Sequence, residues 1–285
     1  MDVAIKAISK KHNVKISIVN ITESMKEILA LQKTNPIAGV VLSRITAANT
    51  LISLDLKNGE LMNTTISPSD GYLGKIITEF KEDKIRSFIQ NADFDPTKII
   101  DLEDPFSAAL GQDGIMVVGQ YLQNYEPHIS TVNLTGGIDA NFMEYLRASN
   151  QVRSLIMTRA TLDEQFNVEH VVGILIQILP NHTWEDIDYL ERKIGNYNFV
   201  TDILIKTFNY HDLIKDIIDD AEILTTRTIN FACTCNKEKV LNAIKLLNKK
   251  EIKEMIQQNE PAIVHCEFCK KEYQILIDEL KQLNN

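Results

Sequence analysis

Apolar and polar residues alternate from Val14 to Val19, a period of two that predicts a half-buried strand. Thr22 then precedes a helical pattern through Ile28, Leu29 and Leu31, and reads as its N-cap. Pro36 opens a second helix in which Ala38, Gly39, Val40, Val41, Leu42, Ile45, Ala47, Ala48 and Leu51 leave little polar face. A helix apolar nearly all round is buried, and its small residues allow close backbone approach. This one is predicted to be the central helix of the core.

Asn58-Gly59 and Asp70-Gly71 are turn signals, because Gly and Asn tolerate positive φ. Around them, residues 61–67, 72–80 and 84–90 read as consecutive antiparallel strands. Residues 95–107 read as irregular. Strand character returns at 115–118 and 128–134. Gly136-Gly137 then makes a turn before a helix at 141–148, and strands at 152–159 and 168–179 end at Pro180. Residues 1–180 are therefore expected to form an α+β core domain, an antiparallel sheet with packed helices.

From residue 184 to 231 the pattern reads as helical, with Ile203, Leu204, Phe208, Leu213, Ile214, Ile217 and Ile218 at helical spacing. The same stretch carries ten Asp or Glu against five Lys or Arg. Helices this short are marginal alone. Residues 181–231 are thus expected to be a helical linker docked on the core domain.

Composition narrows the function. At 285 residues, with 44% hydrophobic and 24% charged, the chain is that of a globular protein of one large or two modest domains. No apolar run approaches the roughly 20 residues that span a bilayer. The opening Met1-Asp2-Val3-Ala4-Ile5-Lys6 does not read as a secretory signal, so a cytoplasmic protein without a membrane partner is expected. A net charge of −9 repels phosphate backbones and lowers the prospect of nucleic-acid binding.

The chemistry lies in the last fifth of the chain. Cys233-Thr234-Cys235 is a C-x-C pair, and Cys266-Glu267-Phe268-Cys269 is a C-x-x-C pair. Each spacing lets two sulfurs converge on one metal, and two pairs complete a tetrahedral S₄ site. Thiolate donors favour zinc over hard cations, and the ligands alone leave iron open. Four protein ligands leave no position for substrate or activated water, so such a site is structural or regulatory. A module of residues 232–285 is too small for a strong core of its own, and metal would supply much of its folding free energy. Residues 238–247 read as an amphipathic helix with Val240, Leu241, Ile244 and Leu247 on one face, and 262–264 and 273–275 as the arms of a hairpin. Zinc-bound thiolates are also the species that oxidants attack, and a C-x-C disulfide would be strained and readily reduced. A permanently reduced zinc knuckle and a reversible redox switch both fit these residues.

Phe231-Ala232-Cys233-Thr234-Cys235, Lys237 and Lys239, and His265-Cys266-Glu267-Phe268-Cys269 followed by Tyr273 resemble the redox-switch domain of the heat shock protein 33 family. The resemblance runs almost end to end. It takes in residues 36–57, Tyr145, Ser149 and Gln151, and Gly173, Leu175, Gln177 and Pro180. It implies an ATP-independent holdase that binds unfolding client proteins, inactive when reduced and zinc-bound. Oxidation would join Cys233 to Cys235 and Cys266 to Cys269, release zinc, unfold the switch domain and undock the linker. A homodimer would accompany activation. Asn150 replaces the family's usual Glu, and Ser87, Ala109-Leu110-Gly111 and Val172-Gly173 stand where the family is richer in glycine, which puts local turn geometry in question.

Other readings are weaker. His265 adjoins Cys266, but four cysteines suffice, and His12, His128, His170, His182 and His211 lack metal spacing. Ser149 and Tyr145 have no nucleophile elbow or nearby His, and no phosphate-binding or dinucleotide motif occurs, so neither ATP use nor an enzyme is expected. The main alternative is a zinc-ribbon protein that mediates nucleic-acid or protein interaction without switching. Residues 232–285 hold nine Lys and eight Asp or Glu, and four thiolates with one zinc would bring the net charge to about −1, unlike a nucleic-acid reader. Lys237, Lys239, Lys270 and Lys271 are expected to offset thiolate charge. A thioredoxin-like reductase would want a βαβ context, which the pattern lacks.

Overall fold

The computed structural model of the chain describes residues 1–195, 197–207, 209–258 and 260–284. It divides into two compact units, Met1–Phe231 and Ala232–Asn285.

The first unit begins with a hairpin of β1 (Val3–Ser9) and β2 (Val14–Asn20), followed by helices α1 (Thr22–Gln32) and α2 (Pro36–Ser53). Strands β3 (Leu61–Pro68), β4 (Ile76–Lys81) and β5 (Lys84–Ile89) form a meander. Helix α3 (Pro105–Leu110) precedes β6 (Gly114–Tyr121) and β7 (His128–Asn133). Helix α4 (Ile138–Tyr145) leads to the long hairpin of β8 (Ser154–Leu162) and β9 (Val168–Ile178). Helices α5 (Trp184–Ile194), α6 (Tyr197–Lys206) and α7 (Tyr210–Ile217) come next, then strands β10 (Glu222–Thr228) and β11 (Asn230–Phe231).

The fold is α+β with antiparallel sheets. One sheet runs β10-β1-β2-β9-β8, and the other β11-β5-β4-β3-β6-β7, in which only the short β11–β5 contact is parallel. Helix α2 packs against strands of both sheets, as its all-round apolar pattern requires. It is long and apolar enough to cross a membrane by composition, yet 83% of it is buried inside the protein. Asn35 caps it by accepting from Ala38 N at 2.8 Å, with Pro36 at the first helical position.

The first sheet is covered on both faces. Ala4, Val19, Ile156, Val171 and Leu175 face the core around α2. Ile5, Ile16, Ile18, Met157, Val172, Ile174 and Ile176 face Leu190, Leu204, Leu213, Ile214 and Ile217 of α5–α7. This is why β9 is apolar at both odd and even positions, where a sheet wetted on one face would alternate. On α2, Thr46 and Asn49 face the second sheet. Thr64, Thr78 and Ser87 sit side by side on β3, β4 and β5, all fully buried. Thr64 Oγ1 donates to Asn49 Oδ1 at 2.7 Å, and Ser87 Oγ lies 2.7 Å from Thr46 Oγ1 and 3.1 Å from Thr78 Oγ1. Buried hydroxyls are thus matched to one another.

Several expectations need correction. Thr22 is not the cap of α1; it is the helix's first residue, and the Asp2 carboxylate does the capping, accepting from Glu23 N at 2.9 Å and Ser24 N at 2.7 Å. Strand β1 was not legible, and β4 begins at Ile76 and not at residue 72. The 95–107 stretch is not wholly irregular, since Asp104 caps α3 through Phe106 N and Ser107 N. Helical structure in this stretch ends at Ile217, and the run Ile223-Leu224-Thr225-Thr226-Arg227-Thr228, four of whose six residues are β-branched, pairs with β1 as an edge strand. Phe208, assigned above to the helical stripe, lies outside the described residues. Ser87 is in mid-strand, so its departure from glycine concerns a hydrogen bond and not a turn. Gly111 is a true turn glycine: φ is +94°, and a Cβ would come 2.3 Å from Asp70 Oδ1. At Gly173 a Cβ would come 2.9 Å from Leu51 Cδ1, so this glycine lets β9 approach α2 closely.

Candidate metal centre

The unit Ala232–Asn285 is small. It contains helices α8 (Lys237–Ile244) and α9 (Lys249–Gln257), a hairpin of β12 (Ala262–His265) and β13 (Glu272–Ile275), and helix α10 (Ile277–Asn284). Asn236 caps α8 through Lys239 N, and Asn248 with Glu251 forms a capping box on α9. The core is five buried side chains, Ile244, Ile252, Tyr273, Ile275 and Leu280, with Val240 and Leu241 half-buried beside them. Leu247, placed on the same face from the sequence, is instead 40% exposed, because α8 ends at Ile244 and turns away before it. The hairpin was read correctly, whereas α9 and α10 were not anticipated. A core this thin is marginal without a staple.

The four cysteines supply one. Cys233 and Cys235 precede α8, and Cys266 and Cys269 form the tip between β12 and β13. The tip is closed by Cys266 N donating to Lys271 O at 2.9 Å and Lys270 N donating to Cys266 O at 2.8 Å, with Lys270 in the left-handed region at φ 57°. All four are half-buried thiols, and none is in a disulfide. Cys233 Sγ lies 3.7 Å from Cys266 Sγ, Cys235 Sγ lies 3.3 Å from Cys269 Sγ, and all four sulfurs fall within 4.8 Å of one another. A tetrahedral zinc with Zn–S bonds of about 2.3 Å separates its sulfurs by about 3.8 Å. The donor set therefore fits a four-thiolate metal in number, type and spacing. Each close contact joins one sulfur of the C-x-C to one of the C-x-x-C, so a metal here would tie the start of the unit to its hairpin.

Tyr273 sets the electrostatics of the cluster. Its hydroxyl donates to Cys235 Sγ at 3.1 Å, and the ring lies under Lys271 Nζ at 5.4 Å. Burial opposes ionisation at Cys235, but the bonds from Tyr273 and the neighbouring thiols outweigh it and bring this thiol down to about 7. Burial pushes Cys269 up to about 12 and moves Cys266 in the same direction. Donation to Cys235 raises the Tyr273 hydroxyl. One sulfur ionises first, and its neighbours solvate it.

The lysines expected to offset thiolate charge have other partners. Lys237 Nζ pairs with Glu279 Oε1 at 2.8 Å, Lys239 Nζ donates to Thr234 O at 2.7 Å, and Lys270 Nζ pairs with Glu267 Oε2 at 3.0 Å. His265 is turned to Glu272, 3.4 Å from Nε2 to Oε2. The sequence reading quoted Tyr273 for its likeness and its strand but missed its bond to sulfur. The available signal was a tyrosine four residues beyond Cys269, on the first arm after the knuckle.

The chain is similar to known proteins over nearly its whole length. The family model described as Hsp33 protein matches residues 2–276. A 33 kDa chaperonin of Alkaliphilus metalliredigens is 26% identical over 98% of this chain and 97% of that protein. One from Clostridioides difficile is 27% identical over 99% and 98%. The crystal structure of the 33 kDa chaperonin (heat shock protein 33 homolog) of Thermotoga maritima superposes with a TM-score of 0.84, covering 99% of this chain and 97% of that one at 23% identity, which shows the shared fold.

Proposed function

The chain belongs to the Hsp33 family of chaperones, and from that premise we propose that it is a cytoplasmic, ATP-independent holdase switched by oxidation of Cys233, Cys235, Cys266 and Cys269. These four residues would hold zinc. A bound zinc dication would neutralise the thiolates and supply folding free energy to a unit with a thin core. The single observation that carries the reading is the four-thiol donor set at the sulfur spacing of a tetrahedral site.

Peroxide is the chemical class of oxidant. For each disulfide, two thiols lose two electrons and two protons, an S–S bond forms, and the peroxide O–O bond breaks to give two waters. The family resemblance pairs Cys233 with Cys235 and Cys266 with Cys269. In disulfide form the sulfurs are no longer anionic donors, so zinc is lost and residues 232–285 lose their staple. In this reading residues 1–180 are the core domain and 181–231 the linker that is then released. The apolar face of Ile5, Ile16, Ile18, Val172, Ile174 and Ile176 beneath α5–α7 would then offer surface to an unfolding client, and the acidic excess of the linker would keep the open form soluble. Two open copies would share such faces as a dimer.

The test follows zinc release and thiol count during peroxide treatment, with light scattering of an aggregating client in the same cuvette. Zinc should leave as thiols vanish and scattering falls, without nucleotide. Zinc retained by oxidised protein, or lost without protection of the client, would reject the switch.

A further inference from the structure

A second group of metal-ligating side chains converges in the unit Met1–Phe231, away from any cysteine. His12 lies in the turn between β1 and β2. Its side chain is 12% exposed, and its ring stacks on Tyr189 of α5 with centroids 4.0 Å apart and planes at 8°. His12 Nδ1 lies 3.5 Å from Asp186 Oδ1. His12 Nε2 is buried without a hydrogen-bond partner and points to Asp219 Oδ1 at 3.8 Å. Ligand atoms of His12, Asp219 and Asp220 fall within 4.8 Å of one another.

The surroundings fix these groups in place. Asp220 accepts from Ser9 Oγ at 2.7 Å and from Lys11 N at 3.2 Å, and Ser9 Oγ accepts from His12 N at 2.9 Å. Burial works against the Asp220 charge, yet these bonds hold its carboxyl below the ordinary range. Lys11 Nζ, on an exposed side chain, is 3.6 Å from Asp219 Oδ2. His12 Nδ1 faces Asp186, and Nε2 faces the Asp219 carboxylate with no hydrogen bond between them. A buried ring nitrogen left without a partner is costly, and a cation standing between it and the carboxylate would satisfy both. An imidazole that offers Nε2 to a metal and Nδ1–H to an outer carboxylate is the usual arrangement of a ligating histidine.

We propose that His12 Nε2, Asp219 and Asp220 bind a divalent transition-metal ion of the zinc, cobalt or nickel class, with Asp186 orienting the ring. One imidazole and two carboxylates suit these borderline ions better than calcium or magnesium. The site joins the β1–β2 turn to the start of α5 through Asp186 and to the turn before β10 through Asp219 and Asp220. It thereby fastens both ends of the α5–α7 layer to the sheet beneath. The thiol cluster takes no part in it.

The chain carries its own reporter, since its one tryptophan, Trp184, is two residues from Asp186. Reduced full-length protein is loaded with one equivalent of zinc, its thiols are counted, and nickel is titrated at neutral pH while free zinc, bound nickel and Trp184 emission are followed. One further equivalent of metal should bind and quench Trp184 without displacing zinc. Asp186→Asn should weaken this binding about tenfold or more. Asp219→Asn, on a side chain 62% exposed and so not needed for folding, should abolish the quench. No second equivalent, nickel uptake matched by zinc release, or an unchanged quench in both Asp219→Asn and His12→Gln would overturn the proposal. The thiol count and initial zinc content report separately on the cysteine site.

Discussion

The hydroxyl of Tyr273 donates a 3.1 Å hydrogen bond to the sulfur of Cys235, linking the first pair of cysteines to the strand that follows the second. The ring is also one of five buried side chains of that unit's core, so packing and donor set meet in one residue. Tyr273→Phe keeps the ring and removes only the bond. Partners of this kind cost about 10–100-fold in metal affinity when lost. Chelator competition on the reduced protein should show zinc held at least tenfold more weakly, with no change in the thermal unfolding of Met1–Phe231. Equal affinity would mean that the hydroxyl has no hold on the site.

Metal binding should release protons. Cys269 is pushed up to about 12 and Cys266 is also raised, so both carry protons at neutral pH. A cation bound to their sulfurs displaces these protons, and affinity therefore rises with pH. Two protons correspond to about a hundredfold per pH unit. Calorimetry of zinc binding in two buffers of different ionisation heat counts them directly. At least two per metal are expected at neutral pH; fewer than one would show that these sulfurs are not ligands.

Ser87→Gly, toward the residue common in the family, should destabilise this chain. The hydroxyl 2.7 Å from Thr46 Oγ1 and 3.1 Å from Thr78 Oγ1 disappears from a fully buried row, and a strand gains a glycine. The two effects together cost about 1–3 kcal/mol. Urea unfolding should show a lower midpoint with an unchanged slope. A midpoint at or above that of the parent would remove the hydroxyl row from the account of stability.

Ile214 is fully buried where α7 meets the sheet. Shortening it in Ile214→Ala should cost about 2–5 kcal/mol at that contact. Hydrogen exchange in 210–217 should quicken while β3–β6 stay protected. If release of this layer is what activates the chaperone, the reduced variant should already suppress client aggregation. Fast exchange without any gain in protection would place client binding elsewhere.

The parts of the fold legible in the sequence were those with redundant signals. Helix α2 combined a proline start with small and apolar residues on nearly every side. The cysteine pairs stated donor type and spacing together. Strand β9 was legible as a strand, but the cover on each of its faces, over Val171 and Leu175 on one side and Val172, Ile174 and Ile176 on the other, shows only in the structure. What escaped depends on partners far along the chain. Asp2 caps a helix 20 residues on, which no local pattern announces. Strand β10 is an edge strand with five of its seven residues exposed, so its period is weak, and its partner β1 is more than 200 residues away. Tyr273 reads locally as an ordinary strand tyrosine, and its role shows only once Cys235 is folded against it.

The pairing of Val3 with Thr228 has a consequence for biosynthesis. Once the first 180 residues have left the ribosome, all of β9 is available, yet the α5–α7 layer and β10 are still to come. Until they emerge, the Val172, Ile174 and Ile176 face stands open and β1 lacks one neighbour. Contacts of such long sequence separation form late. Each nascent copy thus passes through an uncovered form much like the one that oxidant is proposed to regenerate in the finished protein.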